Sequence, residues 1–227
     1  MAHQSHRDVV RRLLAHAGPT YAREATIRLK DTPMPLFQLL VLCMLASKPI
    51  DASIATRAAA ELFRAGLRTP DKVRRAPRSA MIEAFGRAHY VRYDESSATR
   101  LADIAKAVGD DYGGDLRALA ARSGHDIAAA TRLLKRFKGI GDTGADIFLR
   151  EVQDVWTWVR PYFDERALAA ARDLGLPTDP RRLAALAPDA NAALAAALVR
   201  VSLDDSLREE LRGGNVDKAL PRPSRPA

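Results

Sequence analysis

Apolar residues recur along this chain at spacings of three and four, and no stretch alternates convincingly with the period of two that a half-buried strand requires. Between Asp51 and Phe63, for example, Ile54, Ala55, Ala58, Leu62 and Phe63 fall on one helical face. Helix punctuation supports the same reading. Asp51 stands just before that run, and Thr69-Pro70 and Asp179-Pro180 each place a capping side chain ahead of a first-turn proline. Gly66, Gly109 and Gly175 fit helix stops. The pattern predicts helices near 5–17, 21–29, 35–47, 51–65, 70–75, 78–86, 95–109, 115–122, 126–137, 142–153, 164–174, 180–186 and 188–210. Residues 213–227, with Pro221, Pro223 and Pro226, are expected to form a flexible tail. No solenoid repeat occurs, and the short helices argue against a coiled coil. The chain reads as all-α.

Composition narrows the class. A chain of 227 residues, 47% hydrophobic and 28% charged, has room for one or two domains and is not wholly disordered. Its longest apolar run, Leu36 to Ala46, is interrupted by Gln38 and is too short to cross a bilayer. The first eight residues lack the apolar core of a signal peptide, so a cytoplasmic location (at the nucleoid in a bacterium) and no membrane partner are expected. Cys43, the single cysteine, cannot form an internal disulfide or supply a four-thiolate site. Placed among Leu39, Leu40, Leu42 and Leu45, it reads as a small buried thiol. Thirty-six basic residues against 28 acidic ones give a net charge of +8, which favours a polyanionic partner. Only seven of the basic residues are lysines, and an arginine excess reflects genome composition as readily as phosphate binding.

One stretch carries chemistry. An amphipathic helix from Asp126, with Ile127, Ala130, Leu133, Leu134 and Phe137 on one face, runs into Lys138-Gly139-Ile140-Gly141. A second helix then buries Ala145, Phe148 and Leu149. The two glycines allow a sharp turn and close approach to a partner, while the amides at the new helix's start can point at an anion. Lys135, Arg136 and Lys138 crowd the approach, and Ile140 is placed to plug the turn into the core. Gly-x-Gly alone is an ordinary turn; the cations and the apolar plug make it a helix-hairpin-helix, which grips a DNA phosphate without reading bases.

Over roughly residues 33 to 176 the sequence resembles the endonuclease III superfamily of helix-hairpin-helix DNA glycosylases. The resemblance rests on the apolar helix Pro35–Ala46 with Ser47-Lys48-Pro49-Ile50-Asp51 after it, on Ala88-His89-Tyr90-Val91-Arg92-Tyr93, on Phe137-Lys-Gly-Ile-Gly141, and on Val159-Arg-Pro-Tyr-Phe-Asp164, in that order. It implies two helical domains flanking a cleft: a six-helix core domain over 33–150 with the hairpin, and a second domain from 1–32 plus 151–212 carrying the catalytic carboxylate. It also implies double-stranded DNA as partner, a monomer, and cleavage of the N-glycosidic bond of a flipped damaged or mismatched base. In that reading Asp164 supports the oxocarbenium character of the departing sugar and orients or deprotonates water. Asp164 also starts a helical run, so a plain N-cap is the alternative. Gly139, Ile140 and Gly141 would hold a phosphate, with Lys138 adding charge and a monovalent cation bridging hairpin carbonyls and phosphate.

Three departures qualify the resemblance. Bifunctional members carry a lysine two residues past the hairpin; Thr143 stands there, and a hydroxyl cannot form the imine of a lyase step, so the enzyme is expected to be monofunctional. The iron–sulfur cluster of many relatives has no ligands here. Asp142 follows the glycines directly: as an N-cap it would contribute about 1 kcal/mol, whereas facing a phosphate some 4 Å away it would cost roughly 1 to 4 kcal/mol. A catalytically silent DNA-binding or damage-sensing module is therefore the second functional reading. Lys48 either contacts phosphate or a base edge or is a solvated helix-end lysine, and Tyr90, with Tyr93, either stacks in a wedge or packs. Thr143, at the start of the second hairpin helix, belongs to the same DNA-facing surface.

Overall fold

The computed structural model describes residues 5–212; the expected tail over 213–227 lies outside them. Among the described residues the chain is all-α, with no strand. In order, the helices are α1 (His6–His16), α2 (Tyr21–Glu24), α3 (Pro33–Ala46), α4 (Ala52–Arg64), α5 (Pro70–Arg75), α6 (Arg78–Arg87) and α7 (Asp94–Tyr112). They continue as α8 (Arg117–Arg122), α9 (Ile127–Leu134), α10 (Asp142–Val152), α11 (Glu165–Asp173), α12 (Pro180–Ala184), α13 (Asn191–Leu203) and α14 (Asp205–Arg212), with a 3₁₀ turn at Thr157–Val159. No described helix is long and apolar enough to cross a membrane.

Local signals set many of these boundaries. Asp51, Thr69, Asp126 and Asp179 accept first-turn amides from Ser53, Lys72, Ala129 and Arg182 at 2.7, 3.3, 2.7 and 2.8 Å. Each satisfies a donor that an uncapped helix would leave orphaned. Gly66 and Gly175 end α4 and α11 with φ of +88° and +69°, where a Cβ would be strained. Gly109 does not end a helix. α7 runs through it to Tyr112 and ends at Gly113, with φ +61°, while the Arg74 guanidinium of α5 lies over Gly109. The helix expected over 188–210 is two: the backbone turns extended at Asp204, whose carboxylate accepts from Leu207 N at 3.0 Å and restarts the chain as α14. The helix expected to reach residue 137 stops at Leu134.

α3 is buried on every side from Pro35 to Leu45, as a helix apolar all round must be, and α4, α7 and α10 pack against it. The apolar interior forms two clusters. The larger gathers residues from Tyr21 to Val159; the smaller joins Val9, Val10 and Leu13 of α1 to the buried faces of α11 to α14. This partition departs from the expected one at 1–32 and after 151, since Tyr21, Ala22, Ala25, Ile27, Trp156 and Val159 belong to the larger cluster. Two polar links, one of them buried, tie these segments to the larger cluster. Glu151 near the end of α10 accepts the amides of Tyr21 and Ala22 at 3.3 and 2.8 Å, and Trp156 Nε1 donates to Asp31 at 2.9 Å. α13 packs on α11, α1 and α10, and its Ala196 reaches into the larger cluster. The two bodies are thus sutured along α10 and α13.

Candidate functional site

α9 and α10 form the predicted hairpin. Gly139 adopts φ +93°, and a Cβ there would lie 3.3 Å from Met44 Cγ and 3.4 Å from Arg100 Cγ, so the turn needs glycine for both conformation and space. Ile140 is buried and plugs the turn into the larger cluster. α10 starts at Gly141 with no side-chain cap, which leaves its first-turn amides for solvent or a ligand. Gly144 lies against the end of α3, where a Cβ would come within 2.7 Å of Ser47 Oγ. Phe137 O and Gly141 O already accept from Ile140 N and Ala145 N at 3.0 Å each, so a monovalent cation would draw on the carbonyls between them.

Both lysines at the turn have acidic neighbours. Lys135 binds Asp142, whose side chain is 81% exposed, and Lys138 lies 3.7 Å from Asp103. Asp142 is not the N-cap of α10, a position held by Gly141; it stands one residue inside the helix. Such exposure keeps its charge in a high-dielectric setting, so repulsion of a nearby phosphate falls at the low end, about 1 kcal/mol.

Beside the turn is a hollow of about 380 Å³ lined by Ser47, Lys48 and residues 139–143. A larger cleft, about 960 Å³, shares Ser47, Lys48 and Thr143 with it and continues past Asp146, Ile147 and Arg150 to Asp164. Its far wall includes Val199 and Leu203 of α13, so the cleft runs between the two clusters. Thr143, Asp146, Ile147 and Arg150 are spaced i, i+3, i+4 and i+7 on α10 and present one face to the cleft.

Asp164 caps α11, with Oδ1 accepting from Ala167 N at 2.8 Å. Its Oδ2 is held by Arg150 Nη1 in an ion pair whose side chains are only 4% and 7% exposed. The carboxylate is therefore both cap and counter-ion while still lining the cleft. Gln153, fully buried, fixes the segment before it: Tyr162 N donates to Gln153 Oε1 at 2.9 Å, and Gln153 Nε2 donates to Tyr162 O at 3.0 Å. That clamp places the Tyr162 hydroxyl 2.5 Å from Asp146 Oδ1, to which it donates. Burial raises the Asp146 carboxyl above its ordinary pKa, an effect the Tyr162 hydrogen bond opposes and the Asp164 charge reinforces. Tyr162 is pushed up in turn, first by burial and then by Asp146.

Thus Gly139, Ile140 and Gly141 line the hollow at the turn, Asp164 lines the larger cleft, and Lys48 and Thr143 line both. Lys138 stands beside it, with a 69% exposed side chain. Tyr90 does not join them. Its ring is 2% exposed and packs on Phe85 at 5.2 Å between centroids, and its hydroxyl lies 3.1 Å from Ser97 Oγ. The packing alternative holds for Tyr90, because a stacking wedge needs an accessible ring. Tyr93, partly buried, has Lys48 Nζ 5.8 Å from its ring centre. Asp146, Arg150 and Tyr162 went unremarked in the sequence; the signal was the helical spacing of polar residues from Thr143 to Arg150 on a helix otherwise committed to the core.

No family model matches the chain, and no curated protein matches it. Among solved structures it is similar to a trapped endonuclease III–DNA covalent intermediate in an estranged-adenine complex, at 14% identity and a TM-score of 0.45, over 87% of this chain and 86% of that one.

Proposed function

We propose that the protein binds duplex DNA through the α9–α10 hairpin and hydrolyses the N-glycosidic bond of a damaged or mispaired nucleotide extruded into the cleft. The observation that carries this reading is that the two hollows adjoin: a glycine turn whose helix start has no side-chain cap lines one, the Asp164 carboxylate lines the other, and Ser47, Lys48 and Thr143 line both. A phosphate held at the turn brings the adjacent sugar toward Asp164. As the base departs with its bonding electrons, positive charge grows on the sugar, and the Asp164 carboxylate, fixed by its cap and by Arg150, lies against it without reorganisation. With Thr143 after the hairpin, the reaction stops at an abasic site.

The test is incubation with duplexes carrying uracil, a T:G mismatch, or oxidised or alkylated bases, followed by alkali. Wild type should yield abasic products from at least one duplex, and Asp164→Asn should release base at least about 100-fold more slowly with DNA affinity nearly unchanged. Equal release by both proteins would remove Asp164 from the mechanism.

A second reading, a catalytically silent DNA-binding module on this scaffold, is favoured by the Arg150 pair, which compensates the Asp164 charge inside the cleft. Salt-sensitive binding without abasic product from any duplex would select it.

A further inference from the structure

We propose that Asp146, held by the hydroxyl of Tyr162, is a second functional carboxylate of the cleft and takes the proton of the water that attacks the sugar; this rests on the glycosylase reading above. Asp164 and Asp146 both face the cleft, but their partners differ. Asp164 has one oxygen on a backbone amide and the other on a buried guanidinium. Asp146 has Oδ1 on a neutral phenol, and Oδ2 makes no hydrogen bond among the described residues. The groups that bear on Asp146 are Tyr162 and Asp164 from the segment leading into α11, and Arg150 and Asp142 from its own helix; across the cleft stands Lys48. Of the two carboxylates, Asp146 is the one with a vacant acceptor and without a direct cationic partner.

A division of labour follows. Asp164, charge-paired and rigid, stabilises the developing cation, while Asp146, half-buried and able to accept, orients water. In the step, the water oxygen bonds to the anomeric carbon as the carbon–nitrogen bond breaks and its electron pair leaves with the base. The water proton passes to Asp146 and from there to the departing nitrogen, so one water is consumed and no other reactant is needed. Burial makes Asp146 a stronger base than an exposed aspartate, the direction that favours its taking a proton. A base must be ionised to act, so the rate falls as pH drops through its pKa. Tyr162 donates to the ionised form; removing that hydroxyl moves the acid limb of the rate profile to higher pH.

The experiment is single-turnover base release across pH on whichever duplex of the panel wild type processes, with full-length protein and thermal melts as a folding control. Asp146→Asn, which keeps an acceptor for Tyr162, should lose about 100-fold or more in rate with unchanged DNA affinity. Tyr162→Phe should keep activity at high pH and shift the acid limb upward. Release by Asp146→Asn within a few-fold of wild type, or a limb unmoved in Tyr162→Phe, would overturn the role of Asp146 and leave the glycosylase reading standing. Wild type that releases no base from any duplex would overturn that reading, and this inference with it.

Discussion

Asp164 and Arg150 form a buried ion pair at the wall of the cleft. Both are almost wholly removed from water, so neither charge is tolerable without the other. Arg150→Ala should destabilise the fold by about 3–5 kcal/mol, because it strands a buried carboxylate. Replacing both residues by apolar ones of similar volume should recover most of that loss. Chemical denaturation of the two variants checks this, and a double replacement no more stable than Arg150→Ala would mean the pair is not self-contained. The Asp164 cap was legible in the sequence, since capping depends on neighbours three residues away. Its guanidinium partner, fourteen residues upstream, was not, because that contact exists only once α10 and the segment before α11 are folded together. Tyr90 was ambiguous for the same reason: its spacing is equally that of a wedge or a core ring, and tertiary packing against Leu45, Phe85 and Ser97 of three helices buries it.

At the scale of the element, the hairpin combines an open amide terminus with cations that are already occupied. Lys135 is engaged by Asp142 and Lys138 lies near Asp103, so binding a phosphate must compete with existing pairs. Asp142→Asn should free Lys135 and remove an exposed like charge. A gain of about 1 kcal/mol in DNA binding, roughly five-fold in affinity, is expected, and fluorescence anisotropy at two salt concentrations measures it. Affinity unchanged at low salt would place Asp142 away from the phosphate. Most helix boundaries were readable because caps and left-handed glycines act locally. There were exceptions: α7 passes Gly109 and ends at the left-handed Gly113, and Asp204, extended and capping α14, divides a helix that periodicity alone joins.

Across the whole molecule, the cleft lies between two apolar clusters that are joined along α10 and α13. The sequence gives the all-α class through its periodicity. It does not reveal that Tyr21 to Ile27 belong with the larger cluster, since that assignment depends on Glu151 reaching back across the fold to their amides. α10 has a mechanical role that no single contact describes. It is a stiff bar roughly 13 Å long between Gly141 and Arg150, at about 1.5 Å per residue, with the glycine turn at one end and the partner of Asp164 at the other. Tilting its start must therefore swing its far end. Gly144→Ala, which wedges a methyl against Ser47, is expected to weaken DNA binding and also to slow base release at saturating DNA. Added salt, which only loosens the grip, should leave that saturated rate alone. In the proposed function, affinity and base release are thus two readouts of the attitude of a single lever.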